Sequence, residues 1–232
     1  MRSVEDAGAG LVEVVLDVPP PCARAYVHVG QYVEVLAEDA VAYFALCNDP
    51  GEAPFRLLIR PRGTVAEALA RAHAGAAFTV SEPLGSGFEW DKTRDADVFV
   101  VVAGTGFAIA PAILRARLSE GASASTFLLV GTAGEVPMAH ALSGIRAAGV
   151  SVTLCVPLGH GREAVFPRVE ADLETTLALR LSDLRSAGAE SSRRRVCVFA
   201  AGPEALLSSL EALVRAENER ARTTWCELLL NA

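Results

Sequence analysis

Val98 to Pro111 reads VFVVVAGTGFAIAP. Its first five residues are β-branched or aromatic with no polar alternation, as expected of a strand covered on both faces. Gly104 and Gly106 then allow a tight turn, and Pro111 suits the first turn of a helix, where no N–H donor is required. No charge occurs over the 17 positions from Val98 to Leu114, close to the ~20 needed to span a bilayer. The two glycines, the proline and the change from β-branched to alanine-rich sequence read instead as strand, turn and helix.

Downstream the same grammar repeats. Thr126 to Val130, Val152 to Val156 and Val196 to Phe199 are further apolar runs, and Cys226 to Leu229 reads as a last strand. Helices are predicted over Ile109 to Ser119, Val136 to Ala147, Val169 to Leu184 and Glu204 to Arg220. Strands alternating with helices predict a doubly wound parallel sheet with right-handed crossovers. Ser186 to Arg195 reads as an exposed loop. Three small-residue loops leave strands of this sheet on one rim: Gly104-Thr105-Gly106-Phe107, Gly131-Thr132-Ala133-Gly134 and Gly202-Pro203. Glycine there admits a pyrophosphate to the backbone, and a helix N-terminus offers it unpaired N–H groups. Gly104, Thr105, Gly106, Phe107, Pro111, Gly131, Thr132, Gly202 and Pro203 are therefore candidate nucleotide-binding residues, with compact turns as the alternative reading. Thr132, Ala133 and Glu135 follow Gly131 with no Arg or Lys beside them, which favours NADH over NADPH. A methyltransferase using the same glycine loop would place an acid at the end of the second strand, where Gly131-Thr132 stand.

Upstream the pattern is different. Leu11 to Val18, Tyr26 to Val29, Tyr32 to Leu36, Val41 to Leu46, Phe55 to Arg60 and Ala77 to Val80 are short β-rich runs separated by proline- and glycine-rich turns. Six such strands predict a six-stranded antiparallel barrel. One short helix is expected from Thr64, because Thr64-Val65-Ala66-Glu67 has the form of a capping box. The boundary falls in the polar stretch Phe88 to Asp95, dividing the chain into units of residues 1–93 and 94–232.

Bulk properties narrow the function. The 232 residues are 51% apolar and carry a net charge of −7. Only Arg193, Arg194 and Arg195 gather positive charge, so a nucleic-acid partner is not expected. The five cysteines, Cys22, Cys47, Cys155, Cys197 and Cys226, stand far apart and contain no C-x-x-C pair, which speaks against a zinc or iron–sulfur site. They suit reduced, buried thiols in a cytoplasm. His28, His73, His140 and His160 are not spaced as ligands. Met1 to Gly10 lacks the apolar stretch of a secretion signal, and no membrane partner is expected.

The order of these pieces resembles the ferredoxin–NADP reductase superfamily over nearly the whole chain. Gly30-Gln31-Tyr32-Val33 is similar to its P-G-Q-Y/F strand entry, and Tyr43 to Asn48 falls where it has R-x-Y-S. Gly63-Thr64-Val65 resembles its flavin-phosphate turn, and Glu82 to Phe88 its G-P-x-G-x-x-F barrel end. Gly106 to Pro111 resembles its G-x-G-I-A-P nucleotide loop, and Ala201-Gly202-Pro203 its C-G-P. The resemblance implies FAD in the first unit, held through Phe44, Ala45, Leu46, Asn48, Gly63, Thr64 and Val65. It implies NADH or NADPH in the second unit, and electrons leaving to a separate carrier protein or a small acceptor.

This chain departs from the family at telling positions. The arginine on the flavin phosphate is replaced by Ala42, the stacking tyrosine by Phe44, the neighbouring serine by Ala45 and the nicotinamide-side cysteine by Ala201. Ala108 stands at the middle glycine of the nucleotide loop, beside a bulky Phe107. Trp225 lies short of the terminal position from which an aromatic would cover the flavin. Phe44 still offers a stacking face. Arg60 or Arg62 is the candidate replacement for the lost charge, while Glu67 opposes an anion at the helix start. The expected function is flavin-dependent hydride and electron transfer from NAD(P)H. The alternative is a related binding or regulatory subunit that has lost catalysis, for which the same alanines argue.

Overall fold

A computed structural model describes residues 1–132, 135–156, 168–169, 171–186, 195–221 and 226–230. The second half follows the expectation closely. Strands β7 (Ala96–Ala103), β8 (Thr126–Gly131), β9 (Ser151–Cys155), β10 (Arg168–Val169), β11 (Arg195–Ala201) and β12 (Cys226–Leu230) form one parallel sheet in the order β10-β9-β8-β7-β11-β12. Helices α3 (Ala110–Ser119), α4 (Ala139–Ala147), α5 (Leu173–Ser186) and α6 (Glu204–Ala221) cover it. The side chains of β7 alternate between its two faces. Val98, Val100 and Val102 pack with Ile113 of α3 and Leu142 of α4, whereas Phe99 and Val101 pack with Leu177 of α5 and Leu210 of α6. Helices on both faces are the reason these strands read as unbroken apolar runs. The helix starts of α4 and α5 lie a few residues later than expected. Of the loop expected over Ser186 to Arg195, Ser186 ends α5 and Arg195 begins β11; residues 187–194 lie outside the described residues, as do His160 and Trp225.

The first half corrects the expected six-stranded barrel. It holds two three-stranded antiparallel sheets, β1 (Ser3–Gly8), β2 (Leu11–Leu16) and β5 (Phe55–Ile59) in the order β1-β2-β5, and β4 (Ala40–Ala45), β3 (Tyr32–Ala37) and β6 (Thr79–Val80) in the order β4-β3-β6. A single bridge between Leu46 and Leu57 links them. Leu16, Tyr26, Val33, Leu46, Phe55 and Leu57 fill the space between the sheets, with α2 (Thr64–Arg71) adding Val65 and Leu69.

Tyr26 to Val29 is not a strand. Tyr26 ends a one-and-a-half-turn helix, α1 (Pro20–Ala25), and its hydroxyl donates to the Asn48 carbonyl at 3.0 Å. The turn after it is tied by buried Gln31, whose Oε1 accepts from the Val27 and His28 amides and whose Nε2 donates to the Gly85 carbonyl. These bonds give the Gly30-Gln31-Tyr32 motif a structural role: it pins the entry of β3 to the loop that ends the half.

The halves share one core. Leu11, Val29, Cys47, Leu58 and Phe88 of the first belong to the same buried cluster as Val98, Ile109 and Phe199 of the second. Phe88 meets Phe199 edge-on at 4.9 Å, and Trp90 stacks on the same ring at 5.9 Å. Arg115 of α3 binds Asp49 across the seam, with its Nε at 2.8 Å from Oδ1, and also reaches the Cys47 carbonyl. No helix among the described residues is long and apolar enough to cross a membrane.

Candidate functional site

A cleft of about 660 Å³ opens where the two halves meet. Its first wall is β4, an edge strand of its sheet, with Ala42, Phe44 and Ala45 along the cleft. The Leu46–Leu57 bridge is the one described ladder contact on that side of β4, so backbone polar groups along this edge are left for another partner. Ile59 and Arg60 at the end of β5, then Arg62, Gly63, Thr64 and Val65 at the start of α2, form the floor. Thr105 and Gly106 after β7, with Ala201 and Gly202 at the end of β11, form the opposite wall. β7 and β11 are neighbours reached by chain running in opposite directions across the sheet, which makes this rim its topological switch point, the usual ligand position in such folds.

The start of α2 differs from the expected capping box. Gly63 is the N-cap, Thr64 is already the first helical residue, and no side chain caps the end. Glu67 does not fold back onto it, because its Oε2 accepts from Arg71 Nη1 at 3.4 Å, one turn further on. The first N–H groups of α2 therefore open into the cleft without a side-chain acceptor, a ready anion site.

Two cations stand beside it. Among the described residues neither Arg60 nor Arg62 has an ion-pair partner. Half-buried Arg60 lies between two glycine turns: a Cβ on Gly10 would be 3.5 Å from its Nη1 and one on Gly104 3.9 Å from its Nη2. Together with the start of α2, a guanidinium without a carboxylate partner makes this end of the cleft a candidate anion site.

Gly106 is set by close packing. A Cβ there would lie 2.2 Å from the Ala201 carbonyl oxygen, so only glycine lets the loop after β7 rest against the end of β11. That contact closes the far wall of the cleft.

The structure does not bring every expected residue to the cleft. Leu46 is buried between the two sheets of the first half. Asn48 is buried with its side chain engaged: Oδ1 accepts from the Arg56 amide at 3.0 Å and Nδ2 donates to the Glu52 carbonyl at 2.9 Å. Phe107 and Pro111 point into the core, since Gly104 to Ile109 winds as a 3-10 turn that tucks Phe107, Ala108 and Ile109 inward. Gly104 reaches the site through its contact with Arg60. Gly131 is closed by α5, where Leu173 Cδ1 lies 2.7 Å from the position of a Cβ. The Thr132 hydroxyl is bound to the Glu135 carbonyl, and its amide donates to the Cys155 carbonyl at 3.0 Å. Pro203 precedes α6, and its carbonyl accepts from the Leu207 amide. Ala133 and Gly134 lie outside the described residues. Ile59, Ala66 and Leu207, which also line the cleft, carry no chemistry that a sequence would flag.

The thiols take no part. Burial pushes Cys47 and Cys226 up to about 12 and Cys197 to about 11, so all three are protonated at neutral pH.

The donor set fits a flavin dinucleotide at its phosphate end, through Arg62, which has no ion-pair partner among the described residues, and an uncapped helix start, with Arg60 beside them toward Gly104. At the ring end Phe44 offers an aromatic face, and Ala42 and Ala45 offer no polar contact.

Neither a protein-family model nor a curated protein matches the sequence. Solved structures do. The cytochrome P450 reductase GcoB of Amycolatopsis superposes with a TM-score of 0.74 at 18% identity, over 98% of this chain and 67% of that one. A ferredoxin NADP+ reductase from Neisseria gonorrhoeae, with bound FAD and NADP, gives 0.74 at 11% identity over 100% and 96%. The flavohem-like FAD/NAD-binding domain of a Vibrio cholerae nitric oxide dioxygenase gives 0.64 at 16% over 99% and 96%. With antiparallel sheets leading into a doubly wound parallel sheet, and a cleft where they meet, this chain has the fold of the ferredoxin–NADP reductase superfamily.

Proposed function

We propose that the chain is an NAD(P)H-dependent flavin oxidoreductase, with residues 1–93 holding FAD and residues 94–232 holding the nicotinamide nucleotide. The observation that carries this is the single cleft lined both by Phe44, Arg60 and the start of α2 and by Thr105, Gly106, Ala201 and Gly202. A flavin and a nicotinamide must touch for hydride transfer, and a cavity shared by the two halves is where they can.

FAD, when bound, supplies a ring that takes a hydride from reduced nicotinamide and passes electrons on. The residues of this chain have simpler tasks. Phe44 presents a ring face for stacking, worth about 0.5–1.5 kcal/mol beyond its area. Arg62 and the first N–H groups of α2 hold the flavin phosphates. Arg60, lying toward Gly104, meets the nucleotide loop, where it neutralises the diphosphate of the nicotinamide substrate. Gly106 and Gly202 let the two loops pack closely behind this wall, and the small side chain of Ala201 leaves room for the nicotinamide to approach. Such chemistry needs position and exclusion of water rather than an acid–base pair, which agrees with the absence of His, Asp or Glu from the cleft lining. Electrons leave to a separate carrier protein or a small acceptor.

Ala42, Ala45 and Ala201 favour a second reading, a binding subunit without catalysis, because each puts a methyl where a polar contact would help. One experiment separates the two. The absorption spectrum is recorded after FAD addition and desalting, then during anaerobic NADH titration. Retained flavin bands that bleach support the reductase; a colourless protein that leaves NADH unoxidised overturns it.

A further inference from the structure

The outer face of the β4-β3-β6 sheet is apolar where a sheet face turned to water is ordinarily polar. Val33 and Val35 point inward and are fully buried, so Tyr32, Glu34 and Leu36 point outward. Residues paired across an antiparallel ladder share a face. Opposite these three stand Ala45, Tyr43 and Val41 of β4, and Leu84 pairs with Tyr32 on the other side. Six large apolar side chains stand exposed among the described residues. Four of them, Leu36, Val41, Tyr43 and Leu84, lie on this face, while Val27 and Leu179 lie elsewhere. Tyr43 is 61% exposed and meets the Tyr32 ring edge-on at 5.9 Å. Aromatic and aliphatic side chains massed in this way mark a surface that another molecule covers.

The charge around the face is of one sign. Glu34 lies in its middle, Glu38 and Asp39 form the turn from β3 to β4, and Glu82 stands two residues before Leu84. No Lys or Arg occurs from Gln31 to Phe55 or from Ala72 to Asp91. Arg71 shares a surface depression with Leu36, Glu38 and Asp39, but it pairs with Glu67 at 3.4 Å. A second copy of this chain would set these acids against like charge, and an anionic bilayer would be repelled in the same way. A protein with an apolar centre and a basic rim is complementary on both counts. The position suggests its role, because Val41, Tyr43 and Ala45 also line the cleft. A protein seated on this face meets the mouth of the cleft at β4.

Building on the reductase reading, we propose that this face is the docking surface for a positively charged electron-carrier protein. Leu36, Tyr43 and Leu84 are its apolar anchors, and Glu34 and Glu38 guide the approach.

The test reads association without turnover. Oxidised cytochrome c, a basic carrier, and an acidic [2Fe–2S] ferredoxin are titrated calorimetrically against the wild type, Leu36→Ser, the pair Glu34→Lys with Glu38→Lys, and the pair Glu211→Lys with Glu219→Lys. The last pair makes the same change in net charge on exposed positions of α6. None of these residues lines the cleft, and circular dichroism checks the fold. The wild type is expected to bind cytochrome c at least tenfold more tightly than the ferredoxin, and less tightly as salt is added. Reversal of Glu34 and Glu38 is expected to weaken cytochrome c at least tenfold, Leu36→Ser at least threefold, and the α6 pair less than twofold. Equal losses from the two charge reversals, or a preference for the ferredoxin, overturn the proposal. A wild-type dimer that Leu36→Ser dissolves, or flotation with anionic vesicles that Leu36→Ser abolishes, also overturns it by giving the face to another occupant. Binding of cytochrome c at this face by a protein that neither keeps FAD nor oxidises NADH overturns the reductase reading alone.

Discussion

Arg117 and Arg60 sit at opposite rims of the second half and have opposite surroundings. Arg117, on α3, is buried at the rim where β7 and β8 begin. Its guanidinium donates to the Thr93 and Ala96 carbonyls, the Thr126 and Ser125 hydroxyls and Glu120 Oε2, all between 3.1 and 3.3 Å. Every direction of its planar fork meets a protein acceptor, so the charge is consumed in joining the linker, β7, α3 and β8. Arg60 faces the rim where β7 ends, with no acceptor from the described residues and two glycines beside it. One arginine is closed by its own chain and the other is left open. The first arrangement serves stability, and the second is the one on which the proposed ligand binding rests.

The sharpest way to break this contrast is Arg117→Met. Removing the charge strands five acceptors, and the expected cost is about 3–5 kcal/mol. Thermal unfolding should fall by roughly 10 °C. A loss of less than about 1 kcal/mol would mean that the network is ornamental.

Arg60→Gln should behave in the reverse manner. Stability is expected to change by no more than about 0.5 kcal/mol, while affinity for a diphosphate-bearing ligand falls by about 1.5–3 kcal/mol, or ten- to a hundredfold. Isothermal titration with NADH and FAD, beside a melting curve, checks both parts. A variant that melts early and binds normally would reverse the assignment of the two arginines.

The smallest effect sharpens the contrast rather than breaking it. Glu67 lies in the first turn of α2, where a negative charge opposes an anion at the helix start, although its pairing with Arg71 draws the carboxylate away. Glu67→Gln should tighten phosphate-bearing ligands by about 0.3–1 kcal/mol, two- to fivefold by titration. Weaker binding would show that no phosphate approaches α2.

The same contrast explains what could be read in the sequence. The parallel half was legible because strands covered on both faces show it in composition: Val98 to Val102 has no polar interruption. In the first half burial alternates, and single residues mislead. Tyr26 and Val29 are apolar because they anchor a turn that Gln31 ties, not because they lie in a strand. Ser3–Gly8 is a strand with little apolar content, since it pairs only with β2 and none of its residues is fully buried. Gly63, Gly106, Gly202 and Arg60, singled out in the sequence, do line the cleft. Leu46, Asn48, Phe107 and Pro111 lie near the right loops but point inward, since a motif records that a position is constrained and not which side constrains it. The contact of the β1–β2 turn with Glu135 left no signal, because the two lie more than a hundred residues apart in the chain.

Trp90 gives the seam an optical probe of its own. Its indole stacks on Phe199, its N–H donates to Glu120 Oε1 at 2.7 Å, and it stands in the linker between the two halves. Phe199 is two residues from Ala201, whose carbonyl abuts Gly106 at the cleft. With Trp225 replaced by phenylalanine, emission would come from Trp90 alone. A red shift that precedes loss of helical ellipticity during denaturation would record the linker peeling from β11 while the parallel sheet is still intact.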